Sequence, residues 1–271
     1  MSLAEGLRPL FRVSRRFIVA LLAAAIWSAG VGGPRAAEPP LVAAASDLQF
    51  VLPDIAARFE EETGLSVRFA FGSSSNFARQ IRQGAPFEIY FSADESYVLA
   101  LARGGLTRDE GALYALGRIV IIAPRDSRLE PDGRLENLRT ALRAGRIKKF
   151  AIANPEHAPY GQRAEEALRH AGLWDDLEDK LVLGENVSQA AQFALSGATE
   201  GGIIAYSLAL APKIADSARF ALIPEDWHRP LRQRVVLLDH AGSTAERFFA
   251  YLQQPKARQI LRKYGFMLPG E

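Results

Sequence analysis

The chain is predicted to be an α/β protein of two lobes with a cleft between them, and three observations predict it. Short apolar runs alternate with amphipathic runs along its 271 residues. These runs form two αβ series, one opening at residue 41 and the other at residue 117. Two serine-bearing turns, within 42–59 and 71–86, each join a strand to a helix, the place where an open α/β sheet binds its ligands.

Residues 1–37 read as a secretory signal rather than as part of the fold. Arg12, Arg15 and Arg16 form a basic region ahead of FIVALLAAAIW at 17–27, an apolar run too short for a comfortable membrane span. Ser14–Ile18 weakly resembles a twin-arginine export signal. The cleavage point is placed between Gly33 and Ala37.

LVAAAS at 41–46 is the first buried strand. The helix expected over 48–63 puts Val51, Ile55 and Phe59 on one face, and Gly64 stops it. SVRFAF at 66–71 alternates as a strand does, and the helix at 75–83 turns Phe77, Ala78 and Ile81 inward. FEIYFSAD at 87–94 is a strand whose Asp94 caps a helix over 95–103. GRIVIIAP at 117–124 opens the second series. A charged helix within 132–149 has Leu135, Leu138 and Leu142 inward. Strands follow at 148–155, 181–186, 201–207, 219–225 and 234–240, and helices at 161–171, 188–196, 243–253 and 255–264. Residues 38–117 and 231–271 are expected to build the first lobe and 118–230 the second, with two crossings as the hinge.

Composition excludes several functions. The sequence has no cysteine, so it holds no disulfide, thiolate nucleophile, cysteine metal site or lipidated cysteine. The formal charge is +2, but residues 1–37 hold five arginines and one acid. Removing them takes 33 basic residues to 28 and 31 acidic residues to 30, a net of −2. The basicity belongs to the signal, which argues against a nucleic-acid partner. The four histidines form no HExxH, and no GxSxG elbow is present, so the reading is not an enzyme. His157 lies near the expected cleft.

The serine turns point instead to an anion. A helix start exposes N–H groups and the positive end of its dipole, and serine hydroxyls add donors. Ser46 follows the first strand, so its N–H and hydroxyl can both face the cleft; a plain helix cap is the alternative role. Ser73, Ser74 and Ser75 offer more hydroxyls than one cap needs.

With AAASDL (43–48), FGSSSNFARQIRQGAP (71–86), SADE (92–95), NPEHAPYGQRAEEAL (154–168), GENVSQA (184–190) and RKYGF (262–266), the chain resembles the periplasmic molybdate-binding proteins of ABC transporters. The resemblance spans nearly all of 41–267 and keeps the order of six motifs. It implies a two-lobed type II periplasmic binding fold, molybdate or tungstate as ligand, no cofactor, no catalysis, a periplasmic location, an ABC permease as partner and a monomer. Sulfate and phosphate fit the same donor logic.

Carried onto this chain, the resemblance makes Ser46, Ser74, Tyr160 and Val187 ligand contacts, Val187 through its N–H and Tyr160 through its N–H, its phenol being an open question. Two positions depart from the pattern. A tyrosine that some relatives place in the late strand is Ala205 here, and strand alternation turns the neighbouring Tyr206 away. Asp47, beside Ser46, stands where relatives have a neutral residue, and a carboxylate facing a dianion repels it. Asp47 is therefore expected to contribute its N–H alone, or to turn its side chain into a helix cap.

Overall fold

The structure is a computed structural model that describes residues 38–270; residues 1–37, with the expected signal, and Glu271 lie outside the described residues. Two five-stranded sheets organise it. The first has the order β2-β1-β3-β10-β4, from β1 (Leu41–Ala45), β2 (Arg68–Gly72), β3 (Ile89–Ser92), β4 (Ala112–Gly117) and β10 (Leu231–Leu237). The second has the order β7-β6-β8-β5-β9, from β5 (Ile119–Pro124), β6 (Phe150–Ala153), β7 (Leu181–Gly184), β8 (Gly202–Ala205) and β9 (Ala218–Leu222). In each sheet the central strands are parallel: β1 runs with β2 and β3, and β6 with β7 and β8. One long-range strand in each closes the set antiparallel, β10 against β3 and β4, and β5 against β8 and β9.

Buried strands lack a polar face because helices cover both sides. Ile119, Val120, Ile121, Ile122 and Ala123 of β5 are all fully buried. Helix α1 (Val51–Thr63) buries Val51, Leu52, Ile55 and Phe59 against the first sheet, and Gly64 at φ +68° ends it. Phe59 meets the edge of Phe248 at 5.2 Å between ring centroids, tying α1 to α10 (Ser243–Tyr251) near the other end of the chain. Each such side chain contributes about 1.5–3 kcal/mol on leaving water. Helix α2 (Ser74–Arg82) buries Phe77, Ala78 and Ile81. Asp94 caps α3 (Glu95–Arg103), its Oδ1 accepting the Ser96 N–H at 2.9 Å.

Some expectations change. The helix expected over 48–63 divides into a 3-10 turn, Ser46–Leu48, and α1, which starts only at Val51. The charged helix contracts to α4 (Glu136–Arg143), because the Asp132 carboxylate accepts the N–H groups of Arg134, Glu136 and Asn137 and holds the preceding residues in a turn. Leu135 sits in that turn at φ +59°, fully buried. The strand expected over 201–207 ends at Ala205, and Tyr206 begins a short helix instead. Strand β4 has no counterpart among the expected elements.

Two further helices bear on the site, α5 (Pro159–His170) and α7 (Val187–Leu195), with the short α6 (Trp174–Leu177) between them. They are followed by α8 (Tyr206–Ala209), α9 (Pro212–Ala215), then α10 and α11 (Pro255–Lys263). Among the described residues, no helix is long and apolar enough to cross a membrane.

Candidate functional site

The parallel strands of both sheets end against one another. β1 runs into the 3-10 turn at Ser46, β2 into α2 at Ser73–Ser74, and β3 into Ala93. From the second sheet, β6 leads to α5 at Ala158–Tyr160, and β7 leads to α7 at Asn186–Val187. These segments line one cavity of about 10 Å³, close to the smallest space that admits a water. All five residues named from the sequence, Ser46, Asp47, Ser74, Tyr160 and Val187, line it, and none is more than 4% exposed. No lysine or arginine among the described residues lines it.

The three serines of the second turn divide their work. Ser73 is the cap of α2, its Oγ accepting the Asn76 N–H at 3.4 Å. The Ser75 hydroxyl donates to the carbonyl of His157, 2.8 Å away on the second sheet's side. The Ser74 Oγ accepts the Ala93 N–H at 3.0 Å, so its own proton remains to be donated. Tyr90 fixes the start of α2 by donating to the Ser74 carbonyl at 2.7 Å. Ser46 is held in the same way: its Oγ accepts the Ser188 N–H at 3.3 Å, which leaves its proton as a donor.

The starts of α5 and α7 supply main-chain donors. Pro159 has no N–H, so Tyr160 carries the first N–H of α5. Asn186 caps α7 by accepting the N–H groups of Ser188 and Gln189, both at 3.1 Å, and leaves that of Val187 to the cavity wall. Gly184 lets α7 begin this close to β7, since a Cβ there would lie 2.5 Å from the Ala190 nitrogen.

The Asp47 side chain caps no helix among the described residues and turns to Tyr160 and Gln233. Its Oδ2 accepts from the Tyr160 hydroxyl at 3.0 Å and from Gln233 Nε2 at 2.8 Å, while its Oδ1 is buried without a hydrogen-bond partner. Gln233 also donates to the Tyr160 oxygen at 2.9 Å and accepts from Tyr114 at 2.5 Å. Burial pushes the Asp47 carboxyl up to about 6, against the opposing pull of the bonds from Gln233 and Tyr160. Burial beside that carboxylate raises the Tyr160 phenol well above its ordinary range, so it stays protonated and a donor. The phenol donates to Asp47 in this structure. Tyr206 stays away from the cavity, its ring beside Phe220 at 6.0 Å between centroids.

Gln233 was missed from the sequence. The run LRQRVVL buries Leu231, Gln233 and Val235 in turn, so a polar residue at the inward phase of an alternating strand was the available signal. Further bonds join the two sides. Ser207 donates to the Asp47 carbonyl at 2.8 Å, the Ser188 hydroxyl meets Gln49 Oε1, and buried Arg163 pairs with Asp94 at 3.0 Å. His157 faces Glu185 at 3.4 Å beside the site and contributes its carbonyl to Ser75.

Residues 40–267 match the model of the bacterial extracellular solute-binding protein family. The molybdate-binding protein ModA of Rhodobacter capsulatus is 35% identical over 241 residues, covering 88% of this chain and 92% of that protein. ModA of Escherichia coli K12 is 32% identical over 262 residues, covering 94% of this chain and all of that protein. The solved periplasmic molybdate-binding protein of Azotobacter vinelandii superposes with a TM-score of 0.77 at 28% identity, over 85% of this chain and 99% of that one. With its paired sheets, its strand-end cavity and these relatives, the chain belongs to the bacterial extracellular solute-binding protein family.

Proposed function

We propose that the cavity binds molybdate, and tungstate equally, through Ser46, Ser74, the N–H groups of Tyr160 and Val187, and Asp47. The observation that carries this reading is the meeting of two uncommitted serine protons with two helix starts around a wall without lysine or arginine. A tetrahedral dianion needs donors from several directions. Hydrogen bonds to a charged group contribute about 1.5–3 kcal/mol each, and several together give tight binding after ordering costs. The molybdate-binding relatives, 32–35% identical over most of the chain, support the choice of ion.

In this reading residues 38–117 with 231–271 form one lobe and 118–230 the other. They close on the ion through the crossings at Gly117–Ile119 and 223–230. The sheets and the polar bonds between them support that division. The protein then acts as a monomer without cofactor or catalysis, exported by residues 1–37, and hands the ion to an ABC permease in the periplasm. Donors set at fixed positions select by size: an ion with shorter bonds leaves some unpaired, which is costly in a buried site.

Calorimetric titration with molybdate, tungstate, sulfate and phosphate tests this. Tight one-to-one binding of the first two without response to the others is the expected result. A preference for sulfate or phosphate would reassign the ion.

A further inference from the structure

Asp47 is an anomaly in a site for anions. A carboxylate in contact with a dianion opposes binding, yet Asp47 is among the residues that line the cavity and is completely buried. Its two oxygens are unequal. Oδ2 holds both donors, Tyr160 and Gln233, while Oδ1 has none. An ionised buried carboxylate would call for donors at both oxygens, whereas a protonated one has an acceptor side and a donor side. The observed pattern leaves Oδ1 open to take up a proton and donate it.

The surroundings supply no cation to keep Asp47 ionised. Gln233 faces it from β10, Tyr160 from α5, and Tyr114 from β4 by way of Gln233, while Ser207 from α8 bonds its carbonyl. No lysine, arginine or histidine among the described residues pairs with its carboxyl, and both phenols are held protonated by burial.

Resting on the oxyanion reading above, we propose that Asp47 enters the complex as the neutral acid, its Oδ1–H donating to an oxygen of the bound dianion, so that each ion bound at neutral pH brings one solvent proton with it. The carboxylate of the free protein gains that proton, no other bond changes, and the complex holds one negative charge fewer than its parts. The carboxyl, already lifted to about 6 by burial, is placed to make this exchange near neutral pH. Asp47 is then a specificity-determining residue: it offers a donor only to a ligand that favours the protonated form.

The test is calorimetric titration of the protein and of Asp47→Asn with molybdate at pH 6 and pH 8, in two buffers of different protonation enthalpy. One linked proton weakens binding up to tenfold per pH unit, so Kd rises by up to about 100-fold across the range. The heat at pH 8 differs between the buffers by one proton's worth. Asp47→Asn, whose amide keeps a donor at every pH, shows a flat Kd, no buffer dependence and the tighter binding at pH 8. Equal Kd and buffer-independent heat in the unsubstituted protein would overturn the proposal while leaving molybdate as ligand. Absence of molybdate binding by both proteins at both pH values would overturn the oxyanion reading, and this proposal with it.

Discussion

Replacing Asp47 by asparagine should change how stability depends on pH, whatever it does to binding. The carboxyl titrates at about 6 in the folded protein against 3.8 for the unperturbed group, because burial penalises its charged form. Between those values the folded state keeps a proton that the unfolded chain has lost. Stability therefore falls as pH rises from about 4 to about 6, and the loss is complete above that. Two pKa units at about 1.4 kcal/mol each give a cost of about 3 kcal/mol at pH 7. Asp47→Asn removes the titration. Urea unfolding at pH 4 and pH 8 should show the variant gaining about 2.5 kcal/mol on the parent between the two pH values, since the group is already partly ionised in the unfolded chain at pH 4. Any fixed cost of the asparagine cancels in that difference. A constant gap between the two proteins from pH 4 to pH 8 would refute the reasoning and mean that the carboxylate is accommodated without penalty.

Three further outcomes follow from the geometry. Ser74→Ala removes one proton donor and should weaken molybdate binding by about 1.5–3 kcal/mol, or roughly 10- to 150-fold, in a titration; an unchanged Kd would assign the Ser74 hydroxyl to Ala93 alone. Gly117→Ala places a Cβ 2.4 Å from the Tyr160 oxygen and 2.7 Å from Gln233 Nε2, so it should cost about 1–3 kcal/mol in a urea midpoint, and no change would mean that this corner is looser than it looks. Arg163→Met breaks the pairs with Asp94 and Glu166; their side chains are 21% and 26% exposed and keep some water, so a loss of about 1–3 kcal/mol is expected in the same assay, together with weaker ion binding. Stability and affinity equal to the parent would mean that these pairs make no net contribution.

The sequence was legible where local pattern decides structure. The unbroken apolar run of β5 and the four-residue spacing of Val51, Ile55 and Phe59 each point to one element without help from elsewhere. It was less legible where a partner lies far along the chain. β4 pairs with β10 and, through Leu116, with Met267 far along the chain, and its short mixed run ALYALG carries no periodicity strong enough to stand alone. The same distance hid the fate of Asp47, since neither Tyr160 nor Gln233 is near it in sequence. The sequence offered three neighbouring hydroxyls for one cap, and the structure gives that duty to Ser73. The outline of the cavity was legible because helix starts announce themselves, whereas the bonds behind it join residues that folding alone brings together.

Two of the proposed donors, at Tyr160 and Val187, belong to the peptide backbone, which every residue but proline supplies. Substitution at position 187 therefore keeps the donor wherever the new side chain fits the buried place of Val187. What cannot drift is whatever sets the helix in place, and at α7 that includes Gly184, buried beneath its first turn. A change of ion preference in such a protein would be written in the packing under its helices, one layer removed from the residues that touch the ligand. Comparing cavity-lining residues between two such chains would then be a poor guide to which of them had changed cargo.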